Sequence, residues 1–124
     1  MNRSDERKEF FFDIFVTALE GGIDYWACAS EYYLGKDREC DLDGFYALVS
    51  DSEEDDTFPD NSRIDINVIV KGLNKIINDD TVNINSEIRR TIRQASIAND
   101  AGLIDADIAD CIIQVGLLGE LVFG

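Results

Sequence analysis

The sequence predicts an α+β fold: an N-terminal helix, a two-stranded antiparallel ribbon, and three further helices that form the core. Three observations predict it. Apolar residues recur at helical spacing near the N-terminus and again through the C-terminal half, and two aromatic-rich runs between them lack helix signals. An apolar share of 45% over 124 residues is also enough for one core and too short a chain for two ordinary ones. Residues 1–124 are therefore read as a single domain: a helix over 1–22, a ribbon with acidic loops over 23–62, and a helical part over 63–124.

Ser4 is placed to cap the first helix, with Asp5 and Glu6 in the first turn, where the helix dipole favours acids. Phe11, Ile14, Phe15, Ala18 and Leu19 follow at helical spacing, with Phe12 and Val16 widening the stripe, and Gly21-Gly22 is expected to end the helix near residue 20. The runs 25–34 and 44–50 are read as two strands joined by a polar loop. A two-stranded ribbon is marginal alone, so it should pack on helices or pair with another subunit. The acidic loop 51–63 carries the one proline, Pro59. From Arg63 onward the pattern is helical, with Asp65 as cap and Ile66, Ile69, Val70, Leu73, Ile76 and Ile77 on one face. A third helix is expected over about 86–98 and a fourth from Asp105 or Asp107, broadly apolar and central to the core. The ending 119–124 reads as a short strand or an ordered tail.

Charge is the most unusual property, with 26 acids against 11 bases for a net of −15. Residues 20–62 hold thirteen acids and two bases, a net of −11. Such a field repels nucleic-acid backbones and anionic membranes and attracts cations or basic proteins. No apolar run reaches the ~20 residues of a membrane span. The charged N-terminus does not read as a secretory signal, and three cysteines without CxxC spacing read as reduced thiols in a cytoplasmic protein.

Catalytic chemistry has little to draw on. The chain has no histidine, no GxxxxGK[ST] and no GxGxxG, so imidazole chemistry and the common phosphate cradles are excluded. Glu20, Asp24 and Glu31 flank Tyr25-Trp26 but have no nearby cation to receive a phosphate, and read as solvated or capping acids. Glu39, Asp41, Asp43 and Gly44 match the first half of a calcium loop, yet Ser50 stands where the bidentate Glu belongs, and the flanks are strand-like. The expectation is a non-enzymatic protein with no cofactor and no metal site.

Two binding readings remain. In the leading one, Asp37, Glu39, Asp41, Asp43, Asp51, Glu53, Glu54, Asp55 and Asp56 imitate nucleic-acid phosphates, together with the aromatic surface of Tyr25 and Trp26. The partner is then a basic or nucleic-acid-binding host protein, without direct contact to nucleic acid or membrane; a homo-oligomer is compatible with either reading. In the alternative, an oligomer traps a small nucleotide-like ligand between the Tyr25/Trp26 aromatics and Arg89, Arg90 and Arg93, the one strongly basic patch. The stretch from Thr17 to Tyr32, with its Gly21-Gly22 and Tyr25-Trp26 pairs, resembles a pattern in short acidic proteins encoded by bacteriophages and actinobacteria. The ending from Asp105 to Gly124 looks like the ending of the same group. The resemblance implies a bacterial or phage cytoplasm, that of a bacterial host cell, and an accessory role, and it supplies no catalytic or cofactor residue. In the leading reading, drawn from the charge, the chain blocks a host protein, as a host defence inhibitor does.

Overall fold

A computed structural model of the chain describes residues 3–36, 39–52 and 57–124. Helix α1 spans Asp5–Thr17, and the Ser4 hydroxyl caps it by accepting from the Arg7 N–H at 3.1 Å. The helical run ends at the glycine pair, as expected, but its last turn is not α-helical. It widens into a π-helical turn over Ala18–Gly22. The reason lies across the core: a Cβ on Gly22 would stand 2.8 Å from the Ala106 carbonyl oxygen, so glycine is what lets this turn lie against the last helix.

Strands β1 (Ala27–Tyr33) and β4 (Tyr46–Asp51) pair antiparallel, with a bulge between Ala29 and Glu31. Their connection carries a two-residue mini-hairpin, β2 (Gly35–Lys36) with β3 (Glu39–Cys40). The expected two-stranded ribbon is in fact a three-stranded sheet, ordered β1-β4-β5, with β5 at Ser62–Asp65. Arg63 and Ile64 are thus strand residues, and the helix expected from Arg63 begins three residues later. Four residues with a single buried apolar side chain, Ile64, are too short to show a period of two; pairing with β4 is what makes them a strand.

Helix α2 (Ile66–Asn78) starts at Asp65, whose carboxylate accepts from the N–H groups of Asn67 and Val68. Helix α3 (Ser86–Ala98) is capped by Asn85 and ends on Asn99 in the left-handed conformation. A short 3-10 turn at Ala101–Leu103 leads to α4 (Ala106–Leu118), capped by Asp105. The four helices and the antiparallel sheet make the α+β class plain.

The core forms where the helices meet the inner face of the sheet. Phe12 and Phe15 of α1 close on Phe45, with ring centroids 5.6 and 4.7 Å apart, while Ala47 and Val49 of β4 are fully buried beneath them. Helices α2 and α4 cross in backbone contact, because Gly72 and Gly116 each face the other helix where a Cβ would strike a carbonyl. Nearly all of α4 from Ala109 to Gly116 is buried, the central position that its apolar composition predicted. No helix among the described residues is long and apolar enough to cross a membrane.

Candidate acidic interface

The residues expected to bind a partner separate into three groups. Asp37, Glu53, Glu54, Asp55 and Asp56 lie outside the described residues. Glu39 and Asp43 are exposed, and Asp41 is partly so. Asp51 and Trp26 are buried, at 8% and 1% exposure.

Asp51 is therefore not an exposed phosphate mimic. It ends β4, and its Oδ2 accepts from the Thr57 N–H at 3.2 Å. Its place in an acidic run hid this, because strand alternation turns it inward on the face of Ala47 and Val49. Trp26 is likewise unavailable to a partner. Its indole N–H donates to Asp110 Oδ1 at 2.7 Å, and its ring lies between Phe58, edge-on at 5.6 Å, and Phe123, stacked at 5.0 Å. Tyr25 keeps 48% exposure, yet its hydroxyl is held by Asp110 Oδ2 at 2.5 Å.

These contacts belong to a polar node that the sequence did not announce. Asp110 and Gln114 stand one turn apart on α4, both buried. Gln114 Oε1 accepts the N–H groups of Val122 and Phe123 at 2.8 and 2.9 Å, and its Nε2 donates to the Phe123 carbonyl and to Asp110. One amide side chain thereby pairs with the tail as a strand would, and draws Phe123 over Trp26. Burial, and then the hydrogen bond to Asp110, push the Tyr25 phenol far above its ordinary range. Burial, reinforced by the neighbouring Asp110, Asp107 and Asp105, raises the Cys111 thiol to about 11. Among the described residues, no three His, Cys, Asp or Glu side chains stand close enough to share a metal ion.

The calcium-like loop is folded around its own aspartate. Asp41 Oδ1 accepts from the Gly44 and Asp43 N–H groups at 2.8 and 3.2 Å, and Oδ2 accepts from the Tyr33 hydroxyl at 3.0 Å. The Gly44 bond, seconded by Tyr33, holds the carboxyl below the usual carboxylate range. Asp43 pairs with Lys8 at 3.0 Å, which joins the loop to α1. A shallow cleft of about 390 Å³ lies here, with Asp5, Glu39 and Asp41 on its walls beside Lys36.

Two groups of exposed acids gather among the described residues. One surrounds that cleft and continues along α1 through Glu9 and Asp13, where burial and then the Glu9 charge raise the Asp13 carboxyl. The other forms where Gly21 and Gly22 meet Ala106, so that Glu20 and Asp24 flank the same helix contact as Asp105 and Asp107. The α1 acids Asp5, Glu9 and Asp13 were open to sequence reading, since they recur every four residues.

Several basic residues are engaged away from these acids. Arg89 does not form part of a ligand site: its guanidinium donates to the carbonyls of Ile76, Asp79 at 3.0 Å and Val82 at 2.7 Å, closing the C-terminal end of α2. Arg93 donates to the Ile77 carbonyl at 3.2 Å on the same helix end, and Arg90 is exposed. Carbonyls at a helix C-terminus carry partial negative charge, so arginines gather there for structural reasons. With Trp26 and Arg89 both engaged internally, the nucleotide-trapping arrangement lacks two of its parts. Arg7 reaches Ser96 and Asn99 at the end of α3, and lies over the Phe10 and Phe11 rings. Lys75 donates to the Gly119 carbonyl at 2.7 Å. Among the described residues, two ion pairs form, Lys8–Asp43 and Arg63–Asp65. No family model, no curated protein and no solved structure matches the chain.

Proposed function

We propose that this chain is a non-enzymatic acidic binding protein that occupies the nucleic-acid groove of a basic host protein, its carboxylates standing in for phosphates. One observation carries the reading. Arg7, Lys75, Arg89 and Arg93, four of the 11 bases, direct donors at neutral carbonyls, amides and hydroxyls, which leaves more of the 26 acids without a cation in contact. An acidic surface serving only solubility has no need to keep its cations away from its anions. A polyanion mimic does, because a carboxylate already paired within the chain is not open to a cation of the partner.

Helix α1 supplies a further ingredient. Acids four residues apart on a helix are ~6 Å apart along its axis, within a factor of two of the 3.4 Å charge spacing along one strand of duplex DNA. A rigid helix presents such a row without the ordering entropy of a loop.

The test is capture of basic proteins from host lysate on the immobilised chain at about 0.05 M salt, followed by competition with duplex DNA. The expected partner binds DNA and this chain in a mutually exclusive way, and its affinity for the chain falls steeply with salt. Replacing Glu39, Glu53, Glu54, Asp55 and Asp56 by their amides weakens it by at least about tenfold, since several close charges act together. Undiminished binding at about 1 M salt, or binding that ignores both DNA and the amide substitutions, overturns the proposal.

A further inference from the structure

We infer that the free edge of β1 and the groove beside it dock an extended basic segment of the protein partner, added to the sheet as a further strand. The inference rests on the basic partner proposed above and names where one part of it would sit. Strand β1 is an edge strand: the order β1-β4-β5 gives it β4 on one side and, among the described residues, no strand on the other. An edge carries a row of backbone donors and acceptors that an incoming strand can pair.

The side chains of β1 make this edge different from that of β5. Register pairs Ala29 with Val49 and Tyr32 with Ala47, so Ala29 and Tyr32 point to the same face of the sheet as these buried residues of β4. That face should be covered, yet Ala29 is exposed and Tyr32 is 64% exposed. The helical layer stops short of β1. What remains is an apolar groove of about 280 Å³ between the strand and the end of α1, lined by Val16, Leu19, Ala29, Tyr32 and Leu34, with Glu20 at its margin. A groove between an edge strand and a helix is the geometry in which an added strand gains affinity from backbone hydrogen bonds and specificity from alternate side chains.

Charge decides among the occupants. Glu20 borders the groove and Glu31 lies on the exposed part of β1, while no lysine or arginine lines it among the described residues. A second copy would bring together two chains of net charge −15 and set two Glu31 side chains along one joint. The bulge at Ala29–Glu31 also works against a flat, symmetric pairing and leaves the strand regular on either side. A segment alternating apolar residues with lysine or arginine fits both features. Its apolar side chains enter the groove, and its cations, on the other face, meet Glu31, which pairs with Leu48 and so faces away from Ala47 and Val49.

The probe is a blocked peptide of alternating lysine and valine, about nine residues long to match β1 with overhang, titrated into the full chain. A version N-methylated on alternate amides keeps every charge but cannot donate along one edge. The unmodified peptide is expected to bind about tenfold or more tighter than the methylated one, and to slow amide exchange within residues 28–33. Ala29→Gln and Tyr32→Gln, both at exposed positions where folding is not at stake, should weaken it comparably. Equal affinity for the two peptides, or protection that falls outside β1, overturns the edge-docking site while leaving the charge-based reading intact. If basic proteins and both peptides all fail to bind at low salt, the charge-based reading fails first and this inference with it.

Discussion

Asp110 sits where a carboxylate would be costly without partners, and the partners come from three directions: the Trp26 indole, the Tyr25 hydroxyl and the Gln114 amide. Removing an acceptor in such a place leaves a buried N–H unsatisfied, at a cost of about 1–3 kcal/mol. Tyr25 gives the cleanest measurement on this node. Its phenol is held above the ordinary range by burial and by Asp110, whereas in the unfolded chain it ionises near ~10. The raised value favours the neutral form in the folded state, so this stabilisation is complete below about pH 10 and is lost as pH climbs through the folded value. Denaturant midpoints measured at about pH 8 and about pH 11 should therefore fall further for the parent chain than for Tyr25→Phe. An equal fall in both would show that Tyr25 is not held in this way. Gln114 was not legible as a tail clamp, because an amide in an apolar helix gives no sign of what it meets; only the return of residues 121–124 over Trp26 supplies its acceptors and donors.

At the level of elements, the crossing of α2 and α4 depends on two hydrogen atoms where side chains would otherwise be. A Cβ at Gly116 would strike the Val68 carbonyl, and one at Gly72 would strike the Ile112 carbonyl and come within 3.1 Å of the Gly116 nitrogen. Backbone cannot swing aside as a flexible side chain can, so the helices would have to separate. Gly116→Ala sets two effects in opposition. Helix propensity gains about 1 kcal/mol, while forcing a methyl into a packed contact costs about 1–3 kcal/mol. Because both helices are buried at this point, the steric cost should win, and urea denaturation should show a loss on the order of 1–2 kcal/mol. A higher midpoint for the variant would mean that the contact is looser than its geometry. Helix boundaries, by contrast, were written locally. Ser4, Asp65 and Asp105 cap where the sequence places them, because a cap needs only its own side chain and the next three N–H groups. The π-helical turn and β5 were not legible, since each depends on an element distant in sequence.

For the whole molecule, the separation of cations from anions has a thermodynamic consequence that needs no partner. With a net charge of −15, two ion pairs among the described residues and arginines turned toward carbonyls, carboxylate repulsion remains uncompensated in the folded state. Salt screens it over ~10 Å at 0.1 M and ~3 Å at 1 M. The melting temperature should therefore rise steadily between about 0.01 M and about 1 M sodium chloride, whereas a chain held together by surface ion pairs would lose stability over the same range. A falling or flat curve would mean that the carboxylates are compensated, and would remove the main support for the proposed function as well.

The sequence by itself determined the fold class, the helix caps and the concentration of acids between residues 20 and 62, because periodicity, capping and composition are properties of neighbouring residues. The tertiary structure decided which of those acids and aromatics face outward. Asp51 and Trp26 read as surface residues and are buried; Arg89 reads as a ligand cation and closes a helix end. Each assignment turned on what another element brings: Asp110, 84 residues along the chain, for Trp26, the inner face of β4 for Asp51, and the carbonyls at the end of α2 for Arg89 and Arg93. Charge is counted along the chain, but exposure is set by what the fold brings against it.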